Sequence, residues 1–153
     1  MENRNGALRI MNIVCCAGLL CKDRQVLLGL RAENRLSFPN VWDLPGGRQE
    51  QGESIEQTLS RELQEELGII PVETQYIEKL DIPSMPDDLE CHIFLIKEWN
   101  GTSSNLAPVE HDAIQWFAIE EACSLTLACP EYPDIFHRVA KMTNHISAST
   151  VKT

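Results

Sequence analysis

The stretch from Gly47 to Ile69, GRQEQGESIEQTLSRELQEELGI, limits what this chain can fold into more than any other. Ser54 is a favoured N-cap, and Gln57 stands three residues later, where a capping box needs it. Gly68 supplies the left-handed residue that commonly ends a helix. With no proline or glycine between them, the spacing predicts a helix over Ile55–Leu67. On a helical projection Ile55, Leu59, Leu63 and Leu67 form one apolar stripe that must face a core. Glu62, Glu65 and Glu66 share an adjoining arc roughly 100° wide.

That arc is poor as pure structure. Like charges three or four residues apart oppose helix formation. Two carboxylates about 6 Å apart near a surface repel by roughly 3 kcal/mol at an effective dielectric near 20. A solvated acidic face is one reading. A bound divalent cation is the other, since carboxylate oxygens are hard ligands and Mg²⁺ completes its shell with waters and substrate phosphates. Arg61 can hold a neighbouring carboxylate in a fixed orientation.

Length and charge narrow the field. A chain of 153 residues suits one domain with one sizeable core. The net charge of −10 and the lack of clustered Lys and Arg argue against a polynucleotide-binding face. An acidic protein acting on a phosphate needs local positive charge, and a bound metal supplies it. The six cysteines show no zinc spacing and fall mostly in apolar runs. They are expected to be reduced core thiols of a cytoplasmic protein. Ile10–Cys21 is too short to span a bilayer and carries no cleavage signature, so it is expected to be a buried strand rather than a membrane segment.

In chain order, Ile10–Cys21 and Gln25–Arg31 are expected to form a hairpin across Lys22-Asp23-Arg24. A polar loop covers 32–40, and Val41–Leu44 is a short strand entering the Pro45-Gly46-Gly47 loop. After the helix come strands over Glu73–Leu80 and Leu89–Trp99, separated by turn residues at 83–88. Asn100-Gly101 is read as a hairpin-type turn, with Ala113–Phe117 as the returning strand. Glu120–Leu127 fits a short helix, and Pro133 opens a final one through about His145. Residues 1–9 and 147–153 are expected to be loose. Trp42, Trp99 and Trp116 are read as core in preference to base-stacking groups. Periodicity reaches mixed α and β, in one domain over 1–153.

The stretch fits Gly-x5-Glu-x7-Arg-Glu-apolar-x-Glu-Glu-x-Gly-apolar at every fixed position, from Gly47 through Glu53, Arg61, Glu62, Glu65, Glu66 and Gly68 to Ile69. It resembles the Nudix box, the signature of the Nudix hydrolases. That resemblance implies an α/β fold, the αβα sandwich with a mixed β-sheet. It also implies hydrolysis of nucleoside diphosphate derivatives with Mg²⁺, or Mn²⁺, as cofactor. By the same resemblance the Gly46 carbonyl, Glu65 and Glu66 would ligate metal. Glu62 would ligate or act as general base, with Glu53 as the rival base. Glu53 also has a bland reading as a favourable charge near a helix N-terminus.

Leu28-Gly29-Leu30-Arg31 and Trp42-Asp43-Leu44-Pro45-Gly46-Gly47 look like the MutT-type branch, which acts on nucleoside triphosphates. There an arginine at the place of Arg31 contacts phosphates, although strand-end arginines are common. Gly47 would let substrate approach the backbone closely. Glu110 is the candidate for an extra metal ligand, or else a solvated loop acid. That branch reads oxidised guanine with an asparagine near the final helix. Leu125–Glu131 holds none, which weakens that base assignment. The expected partner is a small nucleotide, with no polynucleotide and no membrane; a homodimer is left open. Alternatives are ADP-ribose or another nucleotide sugar as substrate, and a non-catalytic nucleotide-binding or protein-interaction module.

Overall fold

A computed structural model describes residues 12–31, 40–83, 87–105 and 111–150. In order it runs β1 (Asn12–Lys22), β2 (Gln25–Arg31), β3 (Trp42–Asp43), β4 (Gly46–Arg48), α1 (Ile55–Leu67) and β5 (Ile70–Ile82). Then come β6 (Asp88–Asn100), β7 (His111–Ala118), α2 (Ile119–Ala122) and α3 (Tyr132–Thr150). The strands make one seven-stranded sheet in the order β3-β2-β1-β6-β5, with β4 also on β1 and β7 also on β2. β1 and β6 are parallel and the other pairs antiparallel, so the sheet is mixed.

The alternation along β1 explains the layering. Cys16 and Leu20 join Leu27, Phe94 and Ile96 under the α1 leucines Leu59, Leu63 and Leu67. Ala17, Leu19 and Cys21 point the other way, into a cluster with Ile135, Phe136 and Val139 of α3. Successive residues of a strand face opposite sides, so an almost unbroken apolar run must be covered on both. The result is helix on sheet on helix. The six cysteines are free thiols. No helix among the described residues is long and apolar enough to cross a membrane.

The β1–β2 hairpin turns through Asp23 and Arg24, both with positive φ (53° and 60°), as a two-residue turn matched to strand twist requires. Four expectations change. Gly46 and Gly47 are not loop but strand, β4, opposite Ala17 and Cys16. A Cβ on Gly46 would sit 2.0 Å from the Cys16 carbonyl oxygen, so only glycine lets the strands come this close.

β7 is not the partner of β6; it pairs with β2. The chain after Asn100 instead closes the end of α1, where Ser104 donates its N–H to the Leu67 carbonyl at 3.1 Å and Gly101 lies against Gly68. The expected helix over Glu120–Leu127 is a single turn, because Thr126 and Ala128 bond instead to the backbone of Trp42, at 2.9 Å each. At the other end, α3 continues to Thr150, beyond the expected stop.

Candidate active site

The helix that carries the acidic arc is capped as its sequence requires. The Ser54 hydroxyl accepts from the Gln57 N–H at 3.1 Å, and the Gln57 side chain accepts from the Ser54 N–H at 2.8 Å. Gly68 closes the helix with φ 73°. Such a cap stabilises by about 1 kcal/mol and fixes which residues face the sheet.

The three carboxylates differ in depth. Glu66 lies inside the apolar stripe and is 4% exposed, accepting from the Gly46 N–H at 2.9 Å. The Glu62 side chain is 15% exposed and the Glu65 side chain 61%. Gly47 has no room for a Cβ, which would come 2.3 Å from the Glu62 carboxyl carbon. The β4 glycines therefore lay bare backbone against two of the three glutamates.

Arg61 organises the rest. Its Nε donates to Glu53 Oε2 at 2.7 Å and its Nη2 to Glu53 Oε1 at 3.1 Å, a two-point clamp. Nη2 also reaches the Arg48 carbonyl at 2.9 Å. Nη1 donates to Glu62 Oε1 at 2.9 Å and Glu65 Oε2 at 3.3 Å, and Glu50 Oε1 is 3.7 Å away. The turn before α1 thus bends Glu53 back to the guanidinium that also holds Glu62. Glu53 Oε1 further accepts from the Glu50 N–H at 2.9 Å and the Thr58 hydroxyl at 3.0 Å. These donors, Arg61 foremost, hold the Glu53 carboxyl down to about 2. Hydrogen bonds to Glu53 and Glu62 hold the proton on Arg61 correspondingly tighter.

The family model for the NUDIX domain matches residues 11–139. The chain belongs to the NUDIX domain family and is a Nudix hydrolase. A CTP pyrophosphohydrolase of Escherichia coli (strain K12) is 31% identical over 117 residues, 76% of this chain and 84% of the relative. An 8-oxo-dGTP diphosphatase of the same strain is 39% identical over 84 residues, 55% of this chain and 65% of the relative. The crystal structure of the MutT protein from Methanosarcina mazei Go1 superposes with a TM-score of 0.76 at 24% identity, over 90% of this chain and 99% of that one, and shows the same fold.

Within this Nudix hydrolase the other expected site residues fall as follows. Glu110 lies outside the described residues. Arg31 is only 14% exposed, and its Nη1 donates to Asp43 Oδ2 at 3.3 Å. Asp43 Oδ1 also accepts from the buried Tyr132 hydroxyl at 2.6 Å and from the Leu44 N–H at 2.8 Å. Burial, with the Asp43 charge beside it, pushes the Tyr132 phenol well up. Sequence reasoning missed Asp43, Thr58 and Tyr132. For Thr58 a signal existed: it lies in the acidic arc, four residues before Glu62. For the Asp43–Tyr132 contact, 89 residues apart, none did.

Proposed function

We propose that this Nudix hydrolase cleaves the pyrophosphate linkage of a nucleoside triphosphate with a divalent cation, Mg²⁺ or Mn²⁺. One observation carries the proposal: four glutamates, at 50, 53, 62 and 65, lie within 4 Å of the single Arg61 guanidinium, and Glu66 stands buried behind them. Among the described residues one guanidinium faces that many carboxylates, a crowding of negative charge that a cation would offset. The relatives are named for CTP and 8-oxo-dGTP, which supports a triphosphate over a nucleotide sugar.

The donor chemistry fits such an ion. Glu62, Glu65, Glu66 and the Gly46 carbonyl are hard oxygen donors, with Glu110, outside the described residues, a further candidate. Among the described residues no three acidic, His or Cys side chains already converge as a metal cage. Two of those donors are turned toward Arg61. When bound, a divalent cation neutralises phosphate charge and makes a coordinated water more acidic.

The protein's own groups divide the remaining work. Glu53 accepts four hydrogen bonds, three on Oε1 and one on Oε2. With its carboxyl held near 2 it is a weak proton acceptor, so its part is to hold Arg61. Arg61 holds Glu62 beside the half-buried Gly47 backbone, and Glu62 takes the proton of the attacking water or ligates the ion. Arg31 shares its charge with Asp43, so any phosphate it meets competes with that pair. The free thiols agree with a reducing, cytoplasmic setting.

A nucleotide panel with Mg²⁺, scored for phosphate against pyrophosphate release, tests this reading. The expected result is turnover of one or more nucleoside triphosphates to the monophosphate and pyrophosphate. Turnover of ADP-ribose with none of any triphosphate would overturn it.

A further inference from the structure

We propose that Thr58 is a positioning residue of the hydrolytic site: its hydroxyl fixes the Glu53 carboxylate, and through it the aim of Arg61 at Glu62. This rests on the reading above, in which Glu62 works on the substrate side and Arg61 holds it. Thr58 has no solvent exposure, yet it is a polar side chain on the acidic arc of α1. Its Oγ1 lies 3.0 Å from Glu53 Oε1 and 3.1 Å from the Ser54 carbonyl. A hydroxyl carries one proton, so one of the two accepts it at a time. The Ser54 carbonyl already accepts the Thr58 N–H at 3.0 Å, and a carboxylate is the stronger acceptor.

What makes this bond matter is where its ends are attached. Glu53 precedes the helix, in a turn around Gly52, so helical geometry does not set its side chain. Of the groups that hold its Oε1, the Glu50 N–H belongs to that same exposed turn. Arg61 reaches it through a long, freely rotating stem. Thr58 is β-branched, stiff about χ1 and seated in the helix. Its hydroxyl is the short, rigid link between the turn carboxylate and α1. Because Glu53 takes Nε and Nη2 of Arg61 together, its orientation decides where the remaining Nη1 points, toward Glu62 and Glu65.

Steady-state kinetics on a nucleoside triphosphate with Mg²⁺ test this in Thr58→Val, Thr58→Ser, Glu53→Gln and the Glu53→Gln/Thr58→Val double variant, each checked for folding by thermal melting. Thr58→Val should lower kcat about 3- to 10-fold with KM nearly unchanged, the scale of one hydrogen bond. Thr58→Ser should restore it. In the Glu53→Gln background Thr58→Val should cost nothing further, since the two act in series. Unchanged kcat in a folded Thr58→Val variant, or losses that multiply in the double variant, would overturn the proposal. Glu62→Gln run alongside separates the cases: if it keeps full rate, the reading of the site fails, whereas an inactive Glu62→Gln beside a fully active Thr58→Val fails Thr58 alone.

Discussion

Two arginines organise charge in this protein, and they do so differently. Among the described residues Arg31 meets Asp43, and the buried Tyr132 hydroxyl and a backbone N–H add to the same carboxylate. Arg61 faces four carboxylates, with Glu66 behind them. The first cluster sets one guanidinium against one carboxylate among the described residues and ties β3 to the start of α3. The second gathers four carboxylates around one guanidinium among the described residues, beside two glycines whose backbone lies against Glu62 and Glu66. On the function proposed above, the crowded acids around Arg61 are where a cation binds.

The contrast can be broken most severely by removing the cation. Chelation should abolish hydrolysis, and Mg²⁺ should restore it; turnover that persists in a chelator would make the crowding of acids around Arg61 incidental. Next, Glu65→Gln or Glu66→Gln should lower kcat by roughly a hundredfold or more in a folded protein. Arg61→Lys keeps the charge but cannot clamp Glu53 at two points, so a fall in kcat of about tenfold is expected, read in the same assay. In the Arg31–Asp43 cluster, Tyr132→Phe should do the reverse: a loss of about 1–3 kcal/mol in urea unfolding with kcat nearly unchanged. A large rate effect there would erase the distinction between the clusters.

The smallest effect concerns pH. The Glu53 carboxyl sits near 2 in the folded protein, below its ordinary value of 4.5, because Arg61 and the turn favour its charged form. Between those values the unfolded chain binds the extra proton, so stability falls as pH falls. The contribution is whole above about 4.5 and is lost as pH drops toward 2. Glu53→Gln should flatten acid unfolding across that window and leave its shape at neutral pH unchanged.

Much of this was legible in the sequence, for a physical reason. A helix is a local structure, and its caps and stripe lie within a few residues of one another. The spacing therefore gave α1 its limits and put Glu62, Glu65 and Glu66 beside the stripe; that Glu66 lies within it, buried, came only from the structure. Contacts made by chain path were not legible. Nothing near Gly46 says that it will pair with Ala17, or that β7 will cross to β2 instead of returning on β6. The bend that returns Glu53 to Arg61 depends on the turn at Gly52, and the Arg31–Asp43–Tyr132 cluster needs the whole sandwich to assemble first.

The most direct test is equilibrium binding of Mn²⁺, followed by electron paramagnetic resonance without nucleotide turnover, in the wild type and in Glu65→Gln and Glu66→Gln. The expected result is saturable binding by the wild type that weakens at least about tenfold in either variant. Binding that is identical in all three proteins, or none in the wild type even with a nucleotide present, would contradict the claim that the clustered acids beside Arg61 hold a cation.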